Sequence, residues 1–242
     1  MKNTKAKKIL FTSGKGGVGK STLSTTFAKL LCEQDKKVLM IDFDASLRTL
    51  DIMLSVSNVV LYDWGDVLNA NCDSLDALIT TSGPKLLAAP LEKVELTKER
   101  IRRLISYYED RFDYIILDCP AGVGEIFDLT LHIADIAIII STPDLVCVRS
   151  AAVAGRKAKD AGVEARLLIN RFKKIIMANG KALNIDEVID ATGIQLIGVI
   201  PEDLQLSLSI LNGELLDPST RGVRAMTRVV RRLNGEQVPL KI

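Results

Sequence analysis

The stretch TSGKGGVGKST, Thr12–Thr22, holds four glycines and two lysines in eleven residues. In front of it lies KILFTS from Lys8, short and largely apolar, the composition of a strand. Behind it Leu23, Phe27, Leu30 and Leu31 fall at i, i+4, i+7 and i+8, one face of a helix. Between strand and helix, Gly14 to Ser21 fits G-x-x-x-x-G-K-[ST]. Glycines let successive backbone N–H groups turn inward as an anion nest, and the helix adds its positive N-terminal end. Lys20 is placed to neutralise β- and γ-phosphates, and the Ser21 hydroxyl is a hard oxygen ligand suited to Mg²⁺. The reading is a nucleotide-phosphate site over Gly14, Lys15, Gly16, Gly17, Val18, Gly19, Lys20, Ser21 and Thr22.

The pattern repeats outward. Further strand candidates are KVLMIDFD from Lys37, KLLAAP from Lys85, DYIILD from Asp113, IAIIIST from Ile136, ARLLIN from Ala165 and QLIGVIP from Gln195. Most are apolar almost throughout, as strands buried on both faces are. Strand followed by amphipathic segment, repeated, predicts an α/β fold: a P-loop NTPase domain over 1–242, with a mostly parallel, roughly seven-stranded twisted sheet and helices on both faces. In such sheets ligands lie outside the carboxyl ends of the strands. That rule gathers the glycine loop, Asp42, Asp44, Asp118 and Asn170 into one crevice.

Asp42 and Asp44, two apart on a strand, point the same way, so one carboxylate can support a Mg²⁺ shell while the other holds a water. Asp118 ends the apolar run of DYIILD, which looks like a Walker B strand.

KGGVGKS, with its additional Lys15, resembles the deviant Walker A motif of the MinD/ParA family of ATPases. DFDxxLRxLD, DCPAG, VVLYDWGDVL, TPDLVCVRSA and IGVIPED extend the likeness over nearly the whole chain and resemble the MinD branch. The resemblance implies ATP/ADP and Mg²⁺ as cofactors, hydrolysis of ATP, and an ATP-dependent homodimer in which Lys15 reaches the partner's phosphates. It implies Asp42 as a Mg²⁺-linked residue beside Ser21 and Asp118, the last the switch II aspartate. Asp44 would position the hydrolytic water, with Lys15 and Lys20 stabilising charge. Asn170 and Pro201 would border the adenine. Cell-division site placement is the implied role, with slow turnover until a regulator of the MinC or MinE kind intervenes.

Composition limits other classes. Hydrophobic residues at 48% and charged residues at 26% suit a globular chain with a sizeable core, and a net charge of +2 singles out no anionic partner. No apolar run approaches the ~18 residues of a membrane span, so a cytoplasmic location is expected, with peripheral association at the inner membrane or nucleoid. The scattered Cys32, Cys72, Cys119 and Cys147 and the single His132 argue against thiolate clusters and histidine-based sites.

Two departures from the branch stand out. Thr49 occupies the place of a family Asn in LRNLD, and after Gly235 only Val238, Leu240 and Ile242 could enter lipid, with Pro239 disfavouring a helix. Arg221, Arg224, Arg228, Arg231 and Arg232 instead share ~100° of helical arc, opposite Val223, Met226, Val230 and Leu233. The stripe reads either as the solvated back of a docked helix or as a patch for DNA or lipid headgroups. Three alternatives to division-site placement therefore stay open: DNA partitioning of the ParA type, metal-centre assembly, and a nucleotide switch without effective hydrolysis.

Overall fold

The computed structural model describes residues 5–45, 47–173 and 182–241. Its seven strands are β1 Lys7–Thr12, β2 Val38–Asp42, β3 Lys85–Leu87, β4 Tyr114–Asp118, β5 Ile136–Ser141, β6 Glu164–Phe172 and β7 Leu196–Pro201. They form one sheet in the order β3-β2-β4-β1-β5-β6-β7, with every neighbouring pair parallel. This is the expected α/β architecture. The helices are α1 Lys20–Cys32, α2 Leu50–Met53, α3 Trp64–Leu68, α4 Lys98–Ser106, α5 Glu125–Leu131, α6 Leu145–Asp160, α7 Ile185–Thr192, α8 Leu204–Leu211 and α9 Arg221–Leu233.

Alternation along each strand splits the interior into two layers. Ile115 and Leu117 of β4 pack with Ile101 and Leu104 of α4, Phe127 of α5 and Ala151 of α6. Ile116, between them in sequence, faces the opposite layer, with Phe27 of α1, Ile210 of α8 and Met226 of α9. Phe27 is fully buried, worth roughly 1.5–3 kcal/mol, against ~0–1 kcal/mol for an exposed ion pair. Packing on two faces, rather than surface charge, therefore fixes where α1 lies. Its four periodic residues Leu23, Phe27, Leu30 and Leu31 are all buried as the spacing predicts.

Three strands end two or more residues away from the sequence reading. β2 stops at Asp42, because the Asp42 carboxylate accepts the Asp44 N–H (2.9 Å) and turns the chain out of the sheet. Asp44 consequently follows the strand instead of lying on it. β3 stops at Leu87, short of Pro90, which has no N–H for a ladder. β6 runs past Asn170 through an irregularity at Arg171 (φ +53°), because Phe172 returns to the core and pairs with Pro201.

Candidate nucleotide site

The glycine loop joins β1 to α1 at the carboxyl edge of the sheet. Gly17 (φ +78°) and Gly19 (φ +89°) take left-handed conformations in which any other side chain is strained. Gly14 is required for a different reason: a Cβ there would stand 2.2 Å from the Ser150 Cβ and 2.6 Å from the Ser150 backbone. Glycine thus lets the loop lie directly on α6. On the other side the Gly122 N–H donates to the Ser13 carbonyl (2.8 Å), tying the loop after β4 to the loop after β1.

Asp118 is the hub of the site. Its Oδ2 accepts from Lys20 Nζ (2.8 Å) and Ser21 Oγ (2.7 Å), and its Oδ1 accepts from Ser24 Oγ (2.8 Å). Burial opposes the charge on Lys20, but Asp118, and then Asp42, outweigh it and hold the ammonium above its ordinary pKa. Ser24 was missed by the sequence reading. A signal existed, since it lies three residues after Ser21 on the same helix and so on the same face.

Asp42 is almost fully buried beside this hub. Its Oδ1 accepts the Asp44 N–H and its Oδ2 the Leu50 N–H (3.2 Å). Burial first, and the neighbouring Asp118 second, push its carboxyl up to about 7. Trp64 Nε1 donates to the Asp42 carbonyl (2.8 Å), a buried bridge from α3 that no pattern in the sequence announced. Asp44 is also buried, and its carbonyl accepts the Arg48 N–H (2.8 Å). Arg48 Nε in turn pairs with Asp51 (3.0 Å), so the segment after β2 is cross-linked on its own polar groups. Thr49 sits at the N-cap of α2 without a side-chain capping bond.

The second half of the crevice is a cavity of about 500 Å³, a size suited to a small-molecule ligand. Gly19, Thr22, Asn170 and Pro201 line it together with Asp203 of the α8 N-cap. Asn170 Nδ2 donates to the Val18 carbonyl (2.7 Å), so its amide braces the glycine loop as well as facing the cavity. Lys15 is exposed at the loop tip. Its charge acts on Asp144, the N-cap of α6, whose carboxyl lies below the ordinary range: burial raises it, but bonds from Thr142 and Cys147, and then Lys15, prevail. The structure thus brings the glycine loop, Asp42, Asp44, Asp118, Asn170 and Pro201 to one edge, with Lys15 at the outer rim.

The oxygen donors of Ser21, Asp42 and Asp118 suit a hard cation. Among the described residues no three His, Cys, Asp or Glu gather as a metal cage. Cys119, next to Asp118, is buried, its thiol pushed up to about 12 chiefly by burial, and so it stays a neutral packing residue.

The arginine stripe is largely engaged within the chain. Arg232 donates to the carbonyls of Ile197 (2.8 Å), Val238 (3.0 Å) and Pro239 (2.8 Å), Arg228 to that of Lys241 (3.0 Å), and Arg231 pairs with Glu236 (2.7 Å). Opposite, Val223, Met226, Val230 and Leu233 are buried. Of the apolar residues after Gly235, Ile242 lies outside the described residues. No described helix is long and apolar enough to cross a membrane.

A parallel sheet with a glycine loop opening α1, and a lysine and serine bound to the aspartate of the neighbouring strand, defines a P-loop nucleotide-binding protein. A family model described as an AAA domain matches residues 6–152. The septum site-determining protein MinD of Helicobacter pylori is 38% identical, over 95% of this chain and 91% of its own length. The MinC:MinD cell division protein complex of Aquifex aeolicus contains a chain superposing with a TM-score of 0.89 at 32% identity, covering 98% of this chain and 99% of that one. A MinD protein of Pyrococcus horikoshii, solved with Mg-ADP, shares the fold at 24% identity (TM-score 0.84; 95% and 96% covered). The chain belongs to the MinD family of septum site-determining ATPases.

Proposed function

We propose that this ATPase binds Mg·ATP at the crevice described above, hydrolyses it by water attack on the γ-phosphorus, and dimerises while the triphosphate is present, as part of placing the cell-division site. The observation that carries the reading is the shared bonding of Lys20, Ser21 and Ser24 to Asp118, which holds a cation, two hydroxyls and a carboxylate at one helix N-terminus. Lys20 and the loop N–H groups bind and orient the phosphates. Ser21, Asp42 and Asp118 would hold Mg²⁺, which would neutralise phosphate charge. Asp44 orients the water, and Asn170 and Pro201 border the adenine. The Aquifex complex pairs MinC with that MinD, and a regulator of this kind is the partner we assign here.

Lys15 is the residue we assign to the partner's phosphates. It is exposed, stands on the loop rim, and makes no ion pair within 4 Å among the described residues. The test is Lys15→Ala, with light scattering in ATP and in ADP and with phosphate release. Wild type should dimerise only in ATP, and the variant should lose both dimer and turnover while still binding ADP. Unchanged association and turnover would overturn the reading.

DNA partitioning has less to rest on, because three of the five stripe arginines are bonded to residues 236–241. Sedimentation with plasmid and with liposomes, in ATP, separates the two surfaces.

A further inference from the structure

A second cavity, of about 690 Å³, lies at the opposite edge of the sheet, where β2, β3 and β4 begin. Its walls are largely apolar: Val38, Leu75, Leu78 and Phe112, with Cys32 from the end of α1, beside Ser82 and Gly83. Burial, with a smaller effect of Glu33, pushes the Cys32 thiol up to about 11, so it counts as a neutral wall residue. The rim is cationic. Lys36, Lys37, Lys85 and Arg111 face one carboxylate, Asp35. In the whole chain basic and acidic residues nearly balance, 32 to 30, so four to one is a local concentration.

None of these four cations makes an ion pair within 4 Å among the described residues. Lys85 Nζ reaches only the Thr80 hydroxyl (3.3 Å). The nearby Asp113 carboxylate accepts the Lys37 N–H through its Oδ2 (2.8 Å) and so adds a second negative charge beside the rim, which stays cationic at four to two. The Asp113 N–H donates to the Lys37 carbonyl (2.8 Å), so the rim backbone is fixed from both sides. Like charges gathered without partners repel one another, and an anion seated among them relieves that repulsion. A bare inorganic anion would leave the apolar walls unused, and a neutral apolar ligand would leave the rim unused.

We propose that this cavity binds an anionic amphiphile: a carboxylate or phosphate head on the lysine and arginine rim, with an aliphatic chain along Leu75, Leu78 and Phe112. Such a ligand is either free in solution or part of a bilayer, and the head-and-chain chemistry is common to both.

The probe is cis-parinaric acid, a fluorescent long-chain carboxylate, titrated into the full chain with oleate and inorganic phosphate as competitors. Binding should saturate and be displaced by oleate. The variant Lys36→Glu/Lys85→Glu/Arg111→Glu should weaken it roughly tenfold or more while ADP binding, at the other edge of the sheet, is retained. If that variant does not fold, Lys85→Gln/Arg111→Gln carries the same comparison. Flotation with phosphatidylglycerol vesicles but not phosphatidylcholine vesicles, lost in the variant, would place the ligand in a bilayer. Parinarate binding without flotation would make it a free amphiphile. Absence of saturable parinarate binding, equal binding by the rim variant, or displacement by phosphate as effective as by oleate would overturn the proposal.

Discussion

Asp42 and Asp118 are register partners at the carboxyl ends of the neighbouring parallel strands β2 and β4. They do not share the nearby cation equally. Lys20 Nζ bonds to Asp118, whereas both Asp42 oxygens are taken up by backbone N–H groups. Burial first, and the neighbouring Asp118 second, make Asp42 hold its proton more strongly than an ordinary carboxyl.

This asymmetry sets a pH dependence. Asp42 has a folded pKa raised to about 7 from an ordinary value near 3.8, so between these values the folded state binds a proton that the unfolded chain has released. Its contribution is greatest below the unfolded pKa and is lost as pH rises through about 7. The loss is on the order of a few kcal/mol. Urea denaturation from pH 5 to 8 should show stability falling with pH in wild type, with a shallower slope in Asp42→Asn. Equal slopes would mean that Asp42 is not the titrating group.

Removing the hub carboxylate should be the costlier change. Asp118→Ala leaves the buried Lys20 ammonium without its counter-charge and two hydroxyls without their acceptor. A cost of about 3–5 kcal/mol is expected. Ser24→Ala, which removes one bond to the same carboxylate, should cost about 1 kcal/mol. In Lys20→Met/Asp118→Leu, where both charges go, most of the loss should be recovered; additive losses would show that the two groups do not interact.

How much of this was legible follows from which signals are local. Gly14 to Ser21 carries its own geometry, because left-handed backbone and close approach demand glycine wherever they occur. The seven strands were legible because burial on both faces leaves no polar alternation. Trp64 was not, since its bond to the Asp42 carbonyl joins elements 22 residues apart. The stop of β2 at Asp42 was hidden for a related reason: the same carboxylate that suggested a metal ligand also bends the backbone. The arginine stripe was correctly placed on one helix face, but the carbonyls that engage it come from the tail and from Ile197 of β7. No helical periodicity reports them.

Gly19→Ala should separate two effects. The methyl group would stand 2.5 Å from Asn170 Nδ2, and φ +89° strains any Cβ-bearing residue. Adding Asn170→Ala removes the collision but not the backbone strain of about 1–2 kcal/mol. ADP affinity measured by calorimetry should therefore fall sharply in Gly19→Ala. The double variant should stay below the Asn170→Ala single variant, which is the reference because Asn170 itself braces the loop. Full recovery to that reference would mean that the left-handed conformation is not needed.

Arg232 clamps the last described residues, since one guanidinium reaches Val238 and Pro239 of the tail and Ile197 of β7. Truncating it should release the tail without unfolding α9, because Val229, Val230 and Met226 still hold the helix on the sheet. In Arg232→Ala, backbone order parameters for residues 236–241 should drop below about 0.6 while those of α9 stay near 0.85. Arg232→Lys should not restore them, because a single ammonium cannot span three carbonyls fixed by a planar fork. Order retained in both variants would show that the tail is held by something other than this arginine, the Arg228 bond to the Lys241 carbonyl being the next candidate.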